Sequence, residues 1–335
     1  MNLRTPYQLF LADAPERLTA KTSIGIFQWR PERCVAQLSL PGCAVDLGLP
    51  DCSPTEAAAL GAKTFVVGVA NRGGRLSDDW IQLIEEAITA GMDVVAGLHR
   101  KLRDIPSLVK AAKKHDVSLI DVRYPEASYD VGAGRIRTGK RVLTVGTDCS
   151  MGKMFTALCL EREMQARGIK ATFRATGQTG IMIAGTGVPV DAVIADFISG
   201  AVESITPDNE PDHWDIIEGQ GSLFHPSFSG VSLGLLHGSA ADTLIMCHAM
   251  GREGMRGLPD IALPDLGDCI RLNERLGRRT NPNCRVVALS INTSAAPEAD
   301  ALAYLDAVSS ETGLPATDPH RFGAASLVDA VTRAA

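Results

Sequence analysis

At 335 residues the chain has room for two domains of ordinary size, each with its own core. Hydrophobic residues at 45% and charged residues at 21% match a soluble globular protein, and a net charge of −6 excludes a general nucleic-acid binder, which needs a basic surface. No uncharged apolar run approaches the roughly 18 residues needed to span a bilayer. The N-terminal stretch MNLRTPYQLFLADAPERL has one short apolar run, broken by Asp13 and Pro15, and lacks a signal-peptide layout, so a cytoplasmic enzyme without membrane or nucleic-acid partners is expected.

KTFVVGVANRGG, from Lys63 to Gly74, reads as a buried strand running into a glycine loop. SDDWIQLIEEAITAG follows as a helix, with Ser77 or Asp78 as N-cap and Gly91 closing it. MDVVAGLH, IPSLVKAAKKHD and VSLIDVRY then read as strand, helix and strand. Strands that are apolar throughout and alternate with helices predict an α/β fold with a parallel sheet covered on both faces. Residues 1–130 are therefore expected to form a Rossmann-like domain, although no G-x-G-x-x-G fingerprint is present.

The glycine-rich, basic stretch DVGAGRIRTGKR has no apolar periodicity, which places a linker at 131–140. A second α/β series is expected over 141–335 as a P-loop NTPase-like parallel-sheet domain. It opens with the strand VLTVGT and a helix from about Lys153 to Arg167, closed by Gly168. KATFRATG, AVIADFI, HWDIIEGQG, DTLIMCH and RVVALSINTS read as its later strands. The eight cysteines include no C-x-x-C pair, and Cys34, Cys43 and Cys52 have no histidine at metal-ligand spacing. Reduced thiols and no metal site are expected.

RVLTVGTDCSMGKM, from Arg141 to Met154, carries the strongest motif. Thr147 through Lys153 fits T-x-x-x-x-G-K, a Walker A pattern whose first glycine has become threonine, with Gly146 just before it. Backbone N–H groups of such a turn, with the helix N-terminus, converge on an anion, and the lysine adds a positive charge. Gly146, Thr147, Cys149, Ser150, Met151, Gly152, Lys153 and Met154 are thus the expected phosphate-holding residues. Met154 stands where a nucleotide hydrolase has the Ser or Thr that binds Mg²⁺, and a thioether offers that hard ion little. Thr156, two residues on, points about 200° around the helix and is a poor substitute. Cys149 lies where a helix N-terminus would lower its pKa, so a covalent acyl-cysteine is a further possibility.

Glu218, at the end of the apolar strand HWDIIEGQG, would face the ligand edge of a parallel sheet as base, amine contact or Mg²⁺ ligand. Asp148 in the loop is the second carboxylate of interest. Arg174, Thr176, Gln178 and Thr179 in FRATGQTGI and Asp196 in ADFISG are expected near the same edge, with Arg174 a candidate carboxylate clamp. His225 and His237 are candidate acid–base groups, and Arg252 and Arg256 could reach anionic groups from a flexible segment. Asn292, ending the strand in SINTS, could read a purine edge. Asp46, Asn71 and Arg72 are candidates for closing over the acceptor pocket.

GTDCSMGK, with EGQG downstream, resembles the dethiobiotin-synthetase-like branch of P-loop proteins. A closer resemblance runs over nearly the whole chain, through WRPERCVAQLSLPGCAVDLGLPD, GVANRGG, VGTDCSMGKM, FRATGQTGI, DFISGA, HWDIIEGQGSLFHPSFSGVSLGLLHGS, MRGLPD and INTSA. These segments resemble a bacterial and archaeal family long described as uncharacterised, some of whose members are assigned as D-glutamate N-acetyltransferases acting with a partner enzyme in D-glutamate catabolism. Met154 is part of that resemblance.

The resemblance implies acyl transfer from acetyl-CoA to the α-amine of D-glutamate. Thr147–Lys153 would hold the CoA phosphates. Glu218, with Asp148 behind it, would serve as base or amine contact. Arg174, Gln178, Asp196, His225 and Arg256 would bind substrate. A homo-oligomer is expected. The alternatives are an ATP/Mg-dependent kinase or ligase of the dethiobiotin-synthetase-like class and a non-catalytic nucleotide-sensing module.

Overall fold

A computed structural model of the chain describes residues 3–17, 19–69, 76–98, 100–124 and 127–334. The chain divides into two compact units, one of Met1–Glu126 with Gln178–Ala192, the other of Ala127–Gly177 with Val193–Ala335.

In chain order the first unit holds β1 (Tyr7–Ala12), α1 (Lys21–Trp29), β2 (Cys34–Ser39), α2 (Pro54–Ala59), β3 (Thr64–Val67), α3 (Asp78–Thr89), β4 (Asp93–Ala96), α4 (Pro106–His115) and β5 (Leu119–Asp121). The five strands form one parallel sheet in the order β2-β1-β3-β4-β5, a Rossmann-like arrangement. Tyr7–Ala12 was expected to be only a short apolar run, yet all six of its residues are buried. Phe10 packs against Phe65 at 5.3 Å and edge-on against Trp80 at 5.2 Å. The Ser77 hydroxyl caps α3 by accepting the Trp80 N–H at 3.3 Å.

The chain returns to this unit between 178 and 192, a stretch assigned from sequence to the second domain. There α6 (Gln178–Ala184) receives Arg33, whose Nη1 donates to the carbonyls of Ile183 and Ala184 at 3.2 and 3.1 Å.

The second unit contains β6 (Lys140–Gly146), α5 (Lys153–Ala166), β7 (Ala171–Arg174), α7 (Ile198–Ile205), β8 (Trp214–Ile217), α8 (Ser229–Ser239) and β9 (Thr243–Ala249). A short antiparallel hairpin follows, β10 (Gly254–Met255) with β11 (Leu258–Ala262). Then come α9 (Leu266–Gly277), β12 (Arg285–Asn292), α10 (Glu298–Thr312), β13 (Ala316–Thr317) and α11 (Ala325–Ala334). The main sheet is parallel in the order β13-β12-β9-β6-β8-β7. Its registers set Gly146 beside Cys247 and Asn292 beside Ala249, so the loop after β6 and the turns after β9 and β12 share one edge. Ligands of open parallel sheets bind at that edge.

Two expectations change here. AVIADFI is not a strand: it runs from the end of one 3-10 turn, Val190–Ala192, through a second, Ala195–Phe197, into α7. Ile194 is 71% exposed, so the run cannot supply the two-sided burial that a central parallel strand has. Residues 131–140 are also more than a connection. The Arg137 guanidinium is buried, with Nη2 donating to Thr206 Oγ1 and to the carbonyls of Gly238 and Ser239 at 2.8–3.1 Å.

Candidate active site

The loop between β6 and α5 takes the form its glycines and lysine dictate. Ser150 and Gly152 adopt positive φ of 57° and 94°, which turns the backbone before α5 begins at Lys153. The Lys153 side chain is only 6% exposed, and its Nζ donates to the Asp148 carbonyl at 2.7 Å. Burial holds its pKa below the usual lysine value, with the Asp148 and Glu218 carboxylates opposing that shift. Gly219, the residue after Glu218, approaches β6 so closely that a Cβ there would lie 1.6 Å from the Thr144 carbonyl oxygen and 3.0 Å from Lys153 Cδ. The glycine of EGQG is therefore needed for the backbone to pass behind the lysine.

No hydroxyl of the first turn of α5 is left for a hard cation. Met154 is a thioether, and Thr156 Oγ1 bonds the Gly152 carbonyl at 3.0 Å and Ser290 Oγ at 2.7 Å, pointing into the sheet. Thr147 Oγ1 instead meets His248 Nδ1 at 3.0 Å, and burial lowers the His248 pKa toward the neutral ring. His248 was not singled out in the sequence. Its only signal was its place at the end of the strand DTLIMCH.

Asp148 is fully buried, and its two oxygens differ. Oδ2 accepts from Arg252 Nη2 at 2.9 Å and from the Arg256 backbone N–H at 2.7 Å, tying the β10–β11 hairpin to the loop. Oδ1 is buried with no hydrogen-bond partner among the described residues, 3.8 Å from His225 Nε2. The Arg256 guanidinium bonds Ser150 Oγ through Nη1.

Asp148, Cys149 and His225 bring one potential ligand atom each within 4.8 Å of one another, but they do not suit a metal. His225 Nδ1 accepts the Ser227 N–H at 3.2 Å, so Nε2 carries the proton and donates to the Arg256 carbonyl at 3.1 Å. His225 thus has no free lone pair for a cation or for base catalysis; it holds the hairpin. Cys149 departs from expectation too: burial pushes its thiol pKa up, outweighing the pull of Lys153, Arg256 and Arg252. A thiol so held is a poor nucleophile.

Glu218 is 4% exposed just beyond β8, where its Oε2 accepts the backbone N–H groups of Thr176 and Gly177 at 2.9 and 3.0 Å. Thr176 Oγ1 returns a bond to the Glu218 carbonyl at 2.6 Å, and Gln220 Nε2 donates to that hydroxyl at 3.1 Å. Glu218 therefore shapes the turn after β7 as well as facing Lys153.

Several expected residues are committed to other partners or positions. Arg174 Nε donates to the buried Asp215 at 2.7 Å, three residues before Glu218 on β8 and so about 10 Å back along that strand. An unpaired Asp215 would be costly there, which is why the guanidinium turns away from the ligand edge. Gln178 starts α6 in the first unit, bonding Arg123 at 3.0 Å and Asp191 at 3.1 Å. Asp196 is exposed in a 3-10 turn. His237 lies in the last turn of α8, its pKa lowered by burial. Asp46 is used by its own loop, accepting from Gly48 N and Gln37 Nε2. Asn71 and Arg72 lie outside the described residues.

A cavity of about 220 Å³ opens beside the loop, lined by Met151, Gly152 and Phe155 on one side and by the turns after β12 and β13 on the other. Asn292 lines it, and its Oδ1 takes the Ser294 N–H at 3.0 Å. Asp318, His320 and Arg321 also line it and were missed. They sit in the stretch TDPHRFG after a strand of only two residues, too short for a period to show.

The family model described as the DUF1611 C-terminal P-loop domain, a domain of unknown function, matches residues 130–328. The accompanying N-terminal Rossmann-like domain of DUF1611 matches residues 38–125. The chain is 54% identical over 98% of its length to a protein of Tritonibacter scottomollicae named D-glutamate N-acetyltransferase, covering 99% of that protein. A protein of the same name from Pseudoalteromonas sp. is 51% identical, with the same coverage of both chains. The crystal structure of a DUF1611 family protein from Anabaena variabilis superposes with a TM-score of 0.85 at 34% identity, over 98% of this chain and 100% of that one.

Proposed function

The chain belongs to the DUF1611 family, and from that premise we propose that it is an N-acetyltransferase moving the acetyl group of acetyl-CoA to the α-amine of D-glutamate. The observation that carries this reading is likeness over nearly the whole chain to two proteins of that name. The loop agrees with it: Lys153 and the turn are equipped to grip phosphates, while Met154 and the inward Thr156 leave the first turn of α5 no hydroxyl for the Mg²⁺ of phosphoryl transfer. A carrier whose chemistry lies at its thioester end uses such a loop as a handle. We assign the enzyme to cytoplasmic D-amino-acid breakdown.

In this scheme the backbone from Gly146 to Met154, with the Lys153 ammonium, holds the diphosphate, and the cavity beside Asn292 takes the adenine. Phe155 supplies an apolar face for the base. Asp148 Oδ1, buried and unpartnered, is the proposed contact and proton acceptor for the amine, and Glu218 holds the neighbouring turn and adds negative potential. This requires the flexible pantetheine arm to fold back over the loop. Arg256 and Arg252 are the proposed contacts for the substrate carboxylates. The free amine attacks the acetyl carbonyl, the oxyanion collapses, and the thiolate leaves unaided because its pKa is near 8.5.

Purified protein mixed with acetyl-CoA and D-glutamate should release free thiol in step with N-acetyl-D-glutamate, seen by mass spectrometry. Absence of thiol release with D-glutamate and with every other D-amino acid would overturn the proposal.

A further inference from the structure

We infer that Arg321 binds the 3′-phosphate of the acyl donor's adenosine and thereby makes the site prefer CoA thioesters to 3′-dephospho-CoA thioesters. The inference rests on acetyl-CoA being the donor. CoA differs from ATP and from dephospho-CoA in carrying a phosphate on the ribose 3′ oxygen, so a site that selects it needs a cation away from the phosphate loop. Lys153 belongs to the loop, and among the described residues lining the cavity Arg321 is the one Lys or Arg.

Arg321 is held ready for such a role. Its Nη1 donates to the Thr293 carbonyl at 2.8 Å, to Thr293 Oγ1 at 3.1 Å and to the Ala296 carbonyl at 3.0 Å. All three acceptors are neutral, so the guanidinium is fixed without its charge being met. Its carbon lies 5.2 Å from the centre of the Phe322 ring, which limits its freedom further. Nε and Nη2 have no acceptor among the described residues, which leaves one edge of the fork for a phosphate.

The nearby Asp318 keeps its negative charge, since its four donors are neutral, but those donors occupy both of its oxygens. Oδ2 accepts the Thr293 N–H and hydroxyl, both at 2.8 Å, and Oδ1 accepts the backbone N–H groups of His320 and Arg321 at 3.0 and 3.3 Å. The same bonds fix the turn that carries Arg321. Asp318 thus acts as the frame and Arg321 as the reader.

The experiment compares thiol release from acetyl-CoA and from 3′-dephospho-acetyl-CoA, with D-glutamate as acceptor. The unaltered enzyme should favour acetyl-CoA in kcat/KM by roughly ten- to a hundredfold, the range of a charge-assisted bond. Arg321→Ala should bring that ratio to about one through loss on acetyl-CoA alone, and Arg321→Lys should keep part of it. Equal use of both donors by the unaltered enzyme would overturn the inference while leaving the acetyl-transfer reading intact. So would an Arg321→Ala variant that loses the same factor on both donors, which would mark Arg321 as a pin for residues 293–296 only. If neither donor releases thiol, the acetyl-transfer reading fails. Calorimetry with adenosine 3′,5′-bisphosphate against 5′-AMP then still decides the 3′-phosphate site: tighter binding of the bisphosphate, lost in Arg321→Ala, supports it, and equal affinities overturn it.

Discussion

Replacing Lys153 with methionine should separate what the loop lysine does for binding from what it costs the fold. The side chain is 6% exposed and its Nζ has the Asp148 carbonyl, at 2.7 Å, as hydrogen-bond acceptor. Methionine keeps nearly the length and removes the charge. Losing that bond costs about 1 kcal/mol, whereas burying an ion costs several kcal/mol, which the substitution relieves. The carboxylates of Asp148 and Glu218 return part of that cost in the parent protein. The unliganded variant should therefore unfold no more than ~3 °C below the parent, and a higher midpoint is compatible. Acetyl-CoA binding should weaken by the 1.5–3 kcal/mol of a charged hydrogen bond, on the order of ten- to a hundredfold. Thermal unfolding and calorimetry on the same preparations read both quantities. A Lys153→Met protein that melts far lower and binds acetyl-CoA as before would refute the reasoning, because the lysine would then serve the fold.

The pH dependence follows from the same group. Burial lowers the pKa of unliganded Lys153 and a bound phosphate raises it, so binding takes up a proton. Acetyl-CoA affinity should fall as pH rises through the lowered pKa towards 10.5, and Lys153→Met should show no such loss. Over the same window the unfolded chain still holds the proton that the folded one has lost, so unliganded stability should rise with pH. Asp148→Asn puts a donor or a weaker acceptor where Oδ1 stands; kcat should fall ~10²- to 10⁴-fold with little change in the KM for acetyl-CoA. A large rise in that KM with kcat unchanged would assign Asp148 to the loop's shape. Arg174→Gln should leave the KM for D-glutamate unchanged but destabilise the protein by about 3–5 kcal/mol, since it removes the guanidinium from the buried Asp215 and leaves it the longer Asn209 Nδ2 contact at 3.5 Å. Denaturant unfolding and steady-state kinetics test the two halves.

Much of the fold was legible because strands buried on both faces spell themselves as continuous apolar runs. KTFVVGVA, MDVVAGLH, VLTVGT, HWDIIEGQG, DTLIMCH and RVVALSINTS each contain a strand. AVIADFI misleads for the same reason, since composition alone cannot tell that Ile194 is exposed. The loop was the most legible part of the site, because a glycine at positive φ before a lysine is a local demand. Side-chain commitments were not legible. Arg174 turns to Asp215, and His225 gives both ring nitrogens to backbone partners; each depends on residues brought close only by folding. Cys149 shows two local effects opposing one another: the helix N-terminus favours the thiolate, and burial, which no sequence prints, outweighs it.

The central claim is that a Walker-like loop without its hydroxyl grips an acyl carrier and does no phosphate chemistry. The most direct measurement is the D-glutamate-dependent rate of thiol release from acetyl-CoA, taken once in excess chelator and once with added Mg²⁺. The account predicts equal rates, with no ADP formed from ATP under either condition. A rate abolished by chelator and restored by Mg²⁺, or ADP formation that depends on Mg²⁺, would contradict it.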